Sequence, residues 1–440
     1  MADIKDKLKQ LKKEREARSK SQLIRDTWEE IEKSQDLSTK DKLQQLINLT
    51  REEKPKKQKT PTIEPLEKEP IQLFENPYPL DVRYGKITIS SGLDIKGNIL
   101  SYLSNDAAFE NLDLSTALFI DLETTGLSGG TGVLPFLVGL GYYRDDRFYV
   151  AQFFLGEPAE EERMIHELGQ FFTQMNFQSV VSFNGKGFDM PLLETRFILH
   201  REPFLLSELP HLDFLFSARS LWRHKHESCR LYHLAREVVE ADRSEDIPSA
   251  EIPWRYFQYL QTGNFHLIEP ILYHNQEDIL SLLGVVVVGA LIFSEGKEKE
   301  LADAMDFFGA GKVMEKVGEV EKSVHFFKRA LDGELSDEVL LLTQKKLSYF
   351  FKRSQEWEKA ILLWKDIGSS NVETMNQLFS FRELAMYLEH KEKKFEEARQ
   401  VAEEGLACSL GLSSYYEEDF RHRLERLKRK IQRQKERQSK

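Results

Sequence analysis

Between Tyr84 and Phe293 the chain alternates short apolar runs of strand length with longer stretches of helical period, and this alternation limits the fold more than any other feature. KITIS, from Lys86, alternates as a strand, and STALFI, ending just before Asp121, is short enough for a buried one. PFLVGLGYY and RFYVAQFFL are strand-like runs separated by Arg144, Asp145 and Asp146, the pattern of an antiparallel hairpin. There follow a helical segment from Glu161 to Phe172, the buried strand SVVSF, a helix through MPLLETRFILH, a further strand in LPHLDFLF and a helical segment from His266 to Phe293. Strands with a hairpin first, then alternating helices and strands, require a mixed α/β sheet flanked by helices.

The flanking sequence has a different texture. Residues 1–54 carry long charged side chains at helical spacing, with Leu23, Ile24, Trp28 and Ile31 as sparse apolar positions, and read as a charged helical arm. Four prolines between Pro55 and Pro70 break any helix, so 55–83 reads as a linker and 84–295 as the α/β domain. From about residue 300 to 420 three stretches resemble one another: GEVEKSVHFFKRAL, QEWEKAILLWKDI and KKFEEARQVAEEGLA. Aligning Ser323, Ala360 and Ala398 puts Phe327, Trp364 and Ala402 four positions later, at a period of 37 to 38 residues. That is slightly longer than the roughly 34 of a tetratricopeptide repeat and gives an all-α helical-repeat domain of stacked helix pairs, a surface that suits a protein partner. Residues 421–440 form a basic tail.

The net charge of -11 disfavours binding nucleic acid by bulk attraction to phosphate. The charge is uneven, however: residues 1–60 hold 17 Lys and Arg against 12 Asp and Glu, residues 421–440 hold 10 against 2, and 61–420 hold 35 against 59. Phosphate affinity must therefore come from the tails, from local patches or from metal ions held by part of that acid. Cys229 and Cys408 are too few and too distant for a disulfide framework, and the charged N-terminus lacks the apolar core of a signal peptide. The expected location is cytoplasmic. The longest apolar stretch, Ile279 to Phe293, falls short of the roughly 20 residues that span a bilayer, so no membrane association is expected.

Three pieces of sequence could carry chemistry. DLETTG begins at Asp121 directly after STALFI, and residues two apart on a strand face the same side, so Asp121 and Glu123 project together. Two carboxylates so placed repel unless a cation lies between them, and Mg2+ and Mn2+ prefer oxygen ligands. Alone, such a pair is more often a solvated turn. In SFNGKGFDMPLL, Asp189 precedes a helix with Pro191 in its first turn, where an Asp is ordinarily an N-cap, while Asn184, Gly185 and Gly187 permit a tight turn towards the first pair. In LYHNQEDILSLL, His274 and Asp278 share a helix face, with Ile271, Ile279 and Leu282 as the apolar stripe. An imidazole one turn before a carboxylate can deprotonate water beside a metal held by that carboxylate, although a solvated polar edge would look the same.

In order and spacing these pieces resemble the DEDD superfamily of DnaQ-like 3'-5' exonucleases, over roughly residues 84 to 293. More narrowly, DLETTGLSGG, FNGKGFD, SCRLYHLA, DIPSAEIPWRYFQYL and HNQEDILSL look like the YprB-type branch of ribonuclease H-like proteins with a helical-repeat tail. The resemblance implies that Asp121, Glu123 and Asp278 ligate two ions, Mg2+ or Mn2+, that Asp189 holds metal through water, and that His274 deprotonates the attacking water. Thr124, Asn184 and Asn275 are the expected substrate contacts. One departure concerns the base: the histidine subgroup places His five residues before the last Asp and the tyrosine subgroup places Tyr four before it. Here His274 is four before Asp278 and Tyr273 five before. The implied function is metal-dependent hydrolysis of a phosphodiester bond in DNA or RNA.

Weaker signals compete. His224, His226, Cys229 and His233 have spacings that could bind zinc, without the paired spacing of a finger. GLSGGTG lacks the Lys-Ser/Thr ending of a phosphate-binding loop. Trp254, Tyr256, Phe257 and Tyr259 could stack bases or pack a helix. The rival functional readings are a nucleic-acid- or protein-binding scaffold with a vestigial metal site and, more remotely, a zinc hydrolase built on the His and Cys group.

Overall fold

A computed structural model describes residues 71–126, 132–294, 302–369 and 375–438. The expected helical arm and the glycine-rich loop at 127–131 lie outside the described residues.

Six strands make one mixed sheet in the order β1 (Ile71–Pro79), β6 (Arg147–Leu155), β5 (Pro135–Arg144), β4 (Ala117–Thr124), β7 (Ser179–Ser182) and β8 (His211–Asp213). Each of the first four is antiparallel to its neighbour, and β4, β7 and β8 run parallel. A two-stranded ribbon of β2 (Arg83–Tyr84) and β3 (Ile87–Thr88) stands apart. The hairpin turns at Asp145 and Asp146, both at positive φ (49° and 57°), as a tight two-residue connection requires.

One expectation needs correction. Ile71–Pro79, assigned to the linker, is a nine-residue strand. Pro77 and Pro79 concealed it, but β1 is an edge strand, where a missing N–H costs no ladder bond on the open side.

The sheet separates two cores by the period-2 rule. Leu118, Ile120 and Leu122 of β4 enter the core formed with α2 (Glu161–Met175), α3 (Asp189–Leu199) and α6 (Ile252–Thr262). Ala117 and Phe119 enter the other, with α1 (Gly97–Ser104), α4 (Phe214–Trp222), α5 (Leu231–Glu237) and α7 (Glu269–Leu291). In the first core, Tyr256 and Tyr259 of α6 are buried, and Tyr256 stacks on Phe136 at 3.9 Å between ring centroids. Half of the aromatic stripe is thus helix packing, while Trp254 and Phe257 remain exposed.

The 23-residue α7 is apolar on every side after Asp278, and every residue from Ile279 to Leu291 is buried. No helix among the described residues is long and apolar enough to cross a membrane. Beyond α7 come α8 (Ala304–Lys316), α9 (Val320–Leu331), α10 (Asp337–Arg353), α11 (Trp357–Gly368), α12 (Met375–Tyr387), α13 (Phe395–Ser409) and α14 (Ser414–Gln438). Ser323, Ala360 and Ala398, the small residues aligned in the three similar stretches, are buried, as are Phe327, Trp364 and Ala402. The helical region adjoins the sheet domain where Gly309 of α8 lies against the backbone of Leu221 and where Asp306 accepts from Trp222 Nε1 at 3.1 Å and Lys225 Nζ at 2.7 Å.

The basic tail also proves different from its expectation, because helix α14 runs through the boundary drawn at 421. Phe420, Leu427 and Ile431 are buried, and Arg423, Arg426 and Lys430 converge on Glu389 at 2.6 to 2.8 Å. Glu389 occupies a π-helical turn, Leu388–Glu392, and is 1% exposed. Burial alone would raise its pKa; hydrogen bonds and charge from Arg426 and Lys430 overcome that and hold it at about 2. Since the folded value lies below the ordinary 4.5, this stabilisation is complete above pH 4.5 and is lost as pH falls towards 2. Glu389→Gln, which leaves the buried Arg423 with Asp419 alone at 3.5 Å, is expected to cost about 3 kcal/mol in urea unfolding near neutral pH. The deficit should shrink below pH 4.

Candidate metal centre

The β4 alternation that sends Phe119 to the α7 side sends Asp121 and Glu123 there too. In the β4–β5 register Asp121 pairs with Gly139 and Phe119 with Gly141. These glycines let the helix approach: a Cβ at Gly139 would stand 2.1 Å from Asn275 Oδ1, and one at Gly141 2.5 Å from Ile279 Cγ2. The N-terminal half of α7 therefore lies directly over the two acids.

Glu123, His274 and Asp278 each offer a ligand atom within 4.8 Å of the others, the one such cluster among the described residues. His274 Nε2 is 3.7 Å from Glu123 Oε1 and 3.4 Å from Asp278 Oδ2. Thus His274, one turn before Asp278, faces the acids. Asp189 is reached through the turn after β7. Asp213 Oδ1 accepts from the backbone N–H of Asn184 at 2.7 Å and its Oδ2 from that of Lys186 at 3.1 Å, shaping a turn in which Asn184 sits at φ 70°. The Asp189 carboxylate accepts backbone hydrogen bonds from its own N–H and from Leu122, the residue between Asp121 and Glu123.

Two of the expected substrate contacts, Asn275 and Thr124, are buried. Asn275 is fully buried; its Nδ2 donates to Asp121 Oδ2 at 2.8 Å and its Oδ1 accepts from Gln152 Nε2 at 2.9 Å, so it orients Asp121. Thr124 is also buried, and its hydroxyl donates to the Gly126 carbonyl at 2.7 Å. Asn184 is exposed. The zinc grouping does not assemble: the His224 ring sits edge-on to Phe308 with ring centroids 5.5 Å apart, and Cys229 Sγ faces the Ala218 carbonyl at 3.9 Å.

Arg243 and Asp246, in the loop before α6, carry no role in the sequence reading, although the stretch DIPSAEIPWRYFQYL begins at Asp246. His274 Nδ1 is 2.6 Å from Asp246 Oδ1, Arg243 pairs with Asp246, and Arg243 Nη1 donates to Asp278 Oδ1 at 2.5 Å. The loop has no periodicity that could have revealed them.

The electrostatics are those of acids crowded out of water. Burial first, then the charges of Asp278, Glu123 and Asp189, push Asp121 well above the carboxylate range. Burial raises Glu123 to about 8 despite His274, and raises Asp189 to about 7. His274 rises to about 10: Asp278, Asp246 and Glu123 outweigh the burial that would lower it. Mutually repelling carboxylates, with the His274 imidazole as the one nitrogen beside them, fit a hard divalent ion such as Mg2+ or Mn2+.

Residues 118–288 match the RNase_H_2 family model, described as the RNase_H superfamily. The chain is 32% identical over 366 residues to the protein YprB of Bacillus subtilis (strain 168), covering 80% of this chain and 84% of that one, and it belongs to the YprB family. Among solved structures, the family B DNA polymerase of the hyperthermophilic archaeon Pyrobaculum calidifontis matches with a TM-score of 0.31 and 16% identity, covering 52% of this chain and 28% of the polymerase.

Acids whose folded pKa exceeds the unfolded value favour the fold fully below about pH 4 and lose that contribution as pH rises through about 7 and 8. In chelator, the melting temperature should therefore fall between pH 5 and 8, and Mn2+ should restore it most at the upper end. Thermal melts in EDTA and in Mn2+ across that range check both.

Proposed function

We propose that the chain is a divalent-metal-dependent nuclease that hydrolyses phosphodiester bonds of nucleic acid, a 3'-5' exonuclease of the DEDD type acting with two ions, Mg2+ or Mn2+. The observation that carries this reading is the convergence of Glu123, His274 and Asp278 at ligand distance on a ribonuclease H-like sheet, with Asp121 and Asp189 close enough to repel them. Asp121, Glu123 and Asp278 would hold the ions and Asp189 would contribute through water. Bound there, such ions neutralise the phosphate, lower the pKa of the attacking water and, as added positive charge, return His274 towards its neutral form.

The chain's own residues supply the rest. His274, its Nδ1 engaged by Asp246, presents Nε2 to the gap between Glu123 and Asp278 and accepts the water's proton there. Asn275 holds Asp121 in place, and Asn184, on the exposed turn, is the expected substrate contact that is open to solvent. The helical pairs, read as tetratricopeptide-like repeats over 300–420, are the expected seat of a protein partner. Two cysteines free of disulfides accord with a cytoplasmic location.

The test is incubation of purified protein with end-labelled single-stranded, duplex and branched DNA and RNA in Mg2+ or Mn2+. Wild type should shorten a substrate from its 3' end, and Asp121→Asn should reduce the rate at least about 100-fold, in the range lost when a transition-state charge stabiliser is removed. Cleavage that survives Asp121→Asn would contradict the reading.

A further inference from the structure

Two buried residues beside the centre have no part in the ligand set, yet they touch it on both sides. Arg243 and Asp246 have side chains 0% and 1% exposed, an unusual place for a guanidinium. Arg243 pairs with Asp246 through Nη2 and donates from Nη1 to Asp278 Oδ1, while its Cζ lies 5.2 Å from the centre of the Tyr232 ring and Ser281 Oγ accepts from Nη1 at 3.4 Å. Ser281 is fixed in turn by Tyr84 Oη at 2.8 Å, which also donates to Glu277. The guanidinium is thereby held by α7, the ribbon and α5 together.

The consequence is directional. Asp278 has one oxygen engaged by Arg243 and the other, Oδ2, turned towards His274 and Glu123. Asp246 has one oxygen on Arg243 and the other on His274 Nδ1, which orients Nε2 towards the same point. A single arginine thus sets the aim of the last acid and, through Asp246, of the imidazole. A lysine cannot do this, because its point charge lacks the planar fork that meets two carboxylates at once.

Resting on the nuclease reading above, we infer that Arg243 and Asp246 are positioning residues of the centre: Arg243 aims Asp278 Oδ2 at the metal, and Asp246 aims His274 Nε2 at the water. Outer partners of this kind tune metal affinity and ligand orientation without bonding the ion. Nothing in this arrangement requires either residue to touch substrate.

The experiment measures Mn2+ affinity of the full chain from the paramagnetic signal of free Mn2+, with cleavage at saturating Mn2+ and a circular dichroism spectrum for each variant. Arg243→Met and Arg243→Lys should each bind Mn2+ about 10- to 100-fold more weakly. Asp246→Asn, which keeps one acceptor oxygen for His274 and Arg243 together, should weaken Mn2+ binding less than the Arg243 variants do, while cleavage falls roughly 100-fold or more and its pH profile shifts, because the base has lost its carboxylate partner. Arg243→Lys keeps the charge, so it remains informative should Arg243→Met fail to fold. In a folded Arg243 variant, unchanged Mn2+ binding would mean that the guanidinium does not aim Asp278 and tighter binding that it competes with the metal; either would overturn this inference alone. Wild type that binds no Mn2+ would overturn the nuclease reading, and this inference with it.

Discussion

The close seating of α7 on β4 and β5 is the contact on which the site depends. Gly139 and Gly141 remove two side chains from one face of the sheet, and Asn275 and Ile279, one turn apart on the helix, fill the space. That contact fixes the helix in rotation as well as height. With Asn275 pressed against the sheet, His274 and Asp278 flank the ends of Asp121 and Glu123, and the apolar remainder of α7 continues into the core it shares with the helical region. The same helix therefore joins the centre to the architecture that follows it.

Against this stands a large electrostatic cost. Carboxylates withdrawn from water are each expensive unless paired, and here Asp121, Glu123 and Asp189 are held above their ordinary pKa by burial and by one another. The protein sets against them one guanidinium and one imidazole, both committed to Asp246 as well as Asp278. By contrast, Glu389 is buried just as deeply but faces three cations, and its pKa falls. One acid is compensated within the fold, and the others form a cluster whose missing positive charge a divalent ion would supply.

Much of this was legible in the sequence because it follows from local periods. Strand alternation put Asp121 and Glu123 on one face, and helical spacing put His274 with Asp278. The hairpin, β7 and the buried helix were likewise readable from short-range pattern. What was not legible depended on tertiary register. Asn275 reads as polar and available, and only its place opposite Gly139 shows that it faces inward. Thr124 turns inward at a bulge between Glu123 and Thr124. Arg243 and Asp246 occupy a loop without period, and the prolines of Ile71–Pro79 imitate a linker because an edge strand tolerates them. The charge of 421–440 suggested a free tail, while its apolar residues at helical spacing, Leu427 and Ile431, mark a packed face.

The claim that most needs direct measurement is that this buried acidic cluster is a metal centre. Anomalous diffraction from a crystal soaked in Mn2+, recorded above and below the manganese edge, tests it without reference to any substrate. The account predicts anomalous peaks in contact with Asp121, Glu123 and Asp278, with Asp189 reached through water. A fully soaked crystal with no peak there, and Arg243 and His274 still paired with the acids, would contradict it.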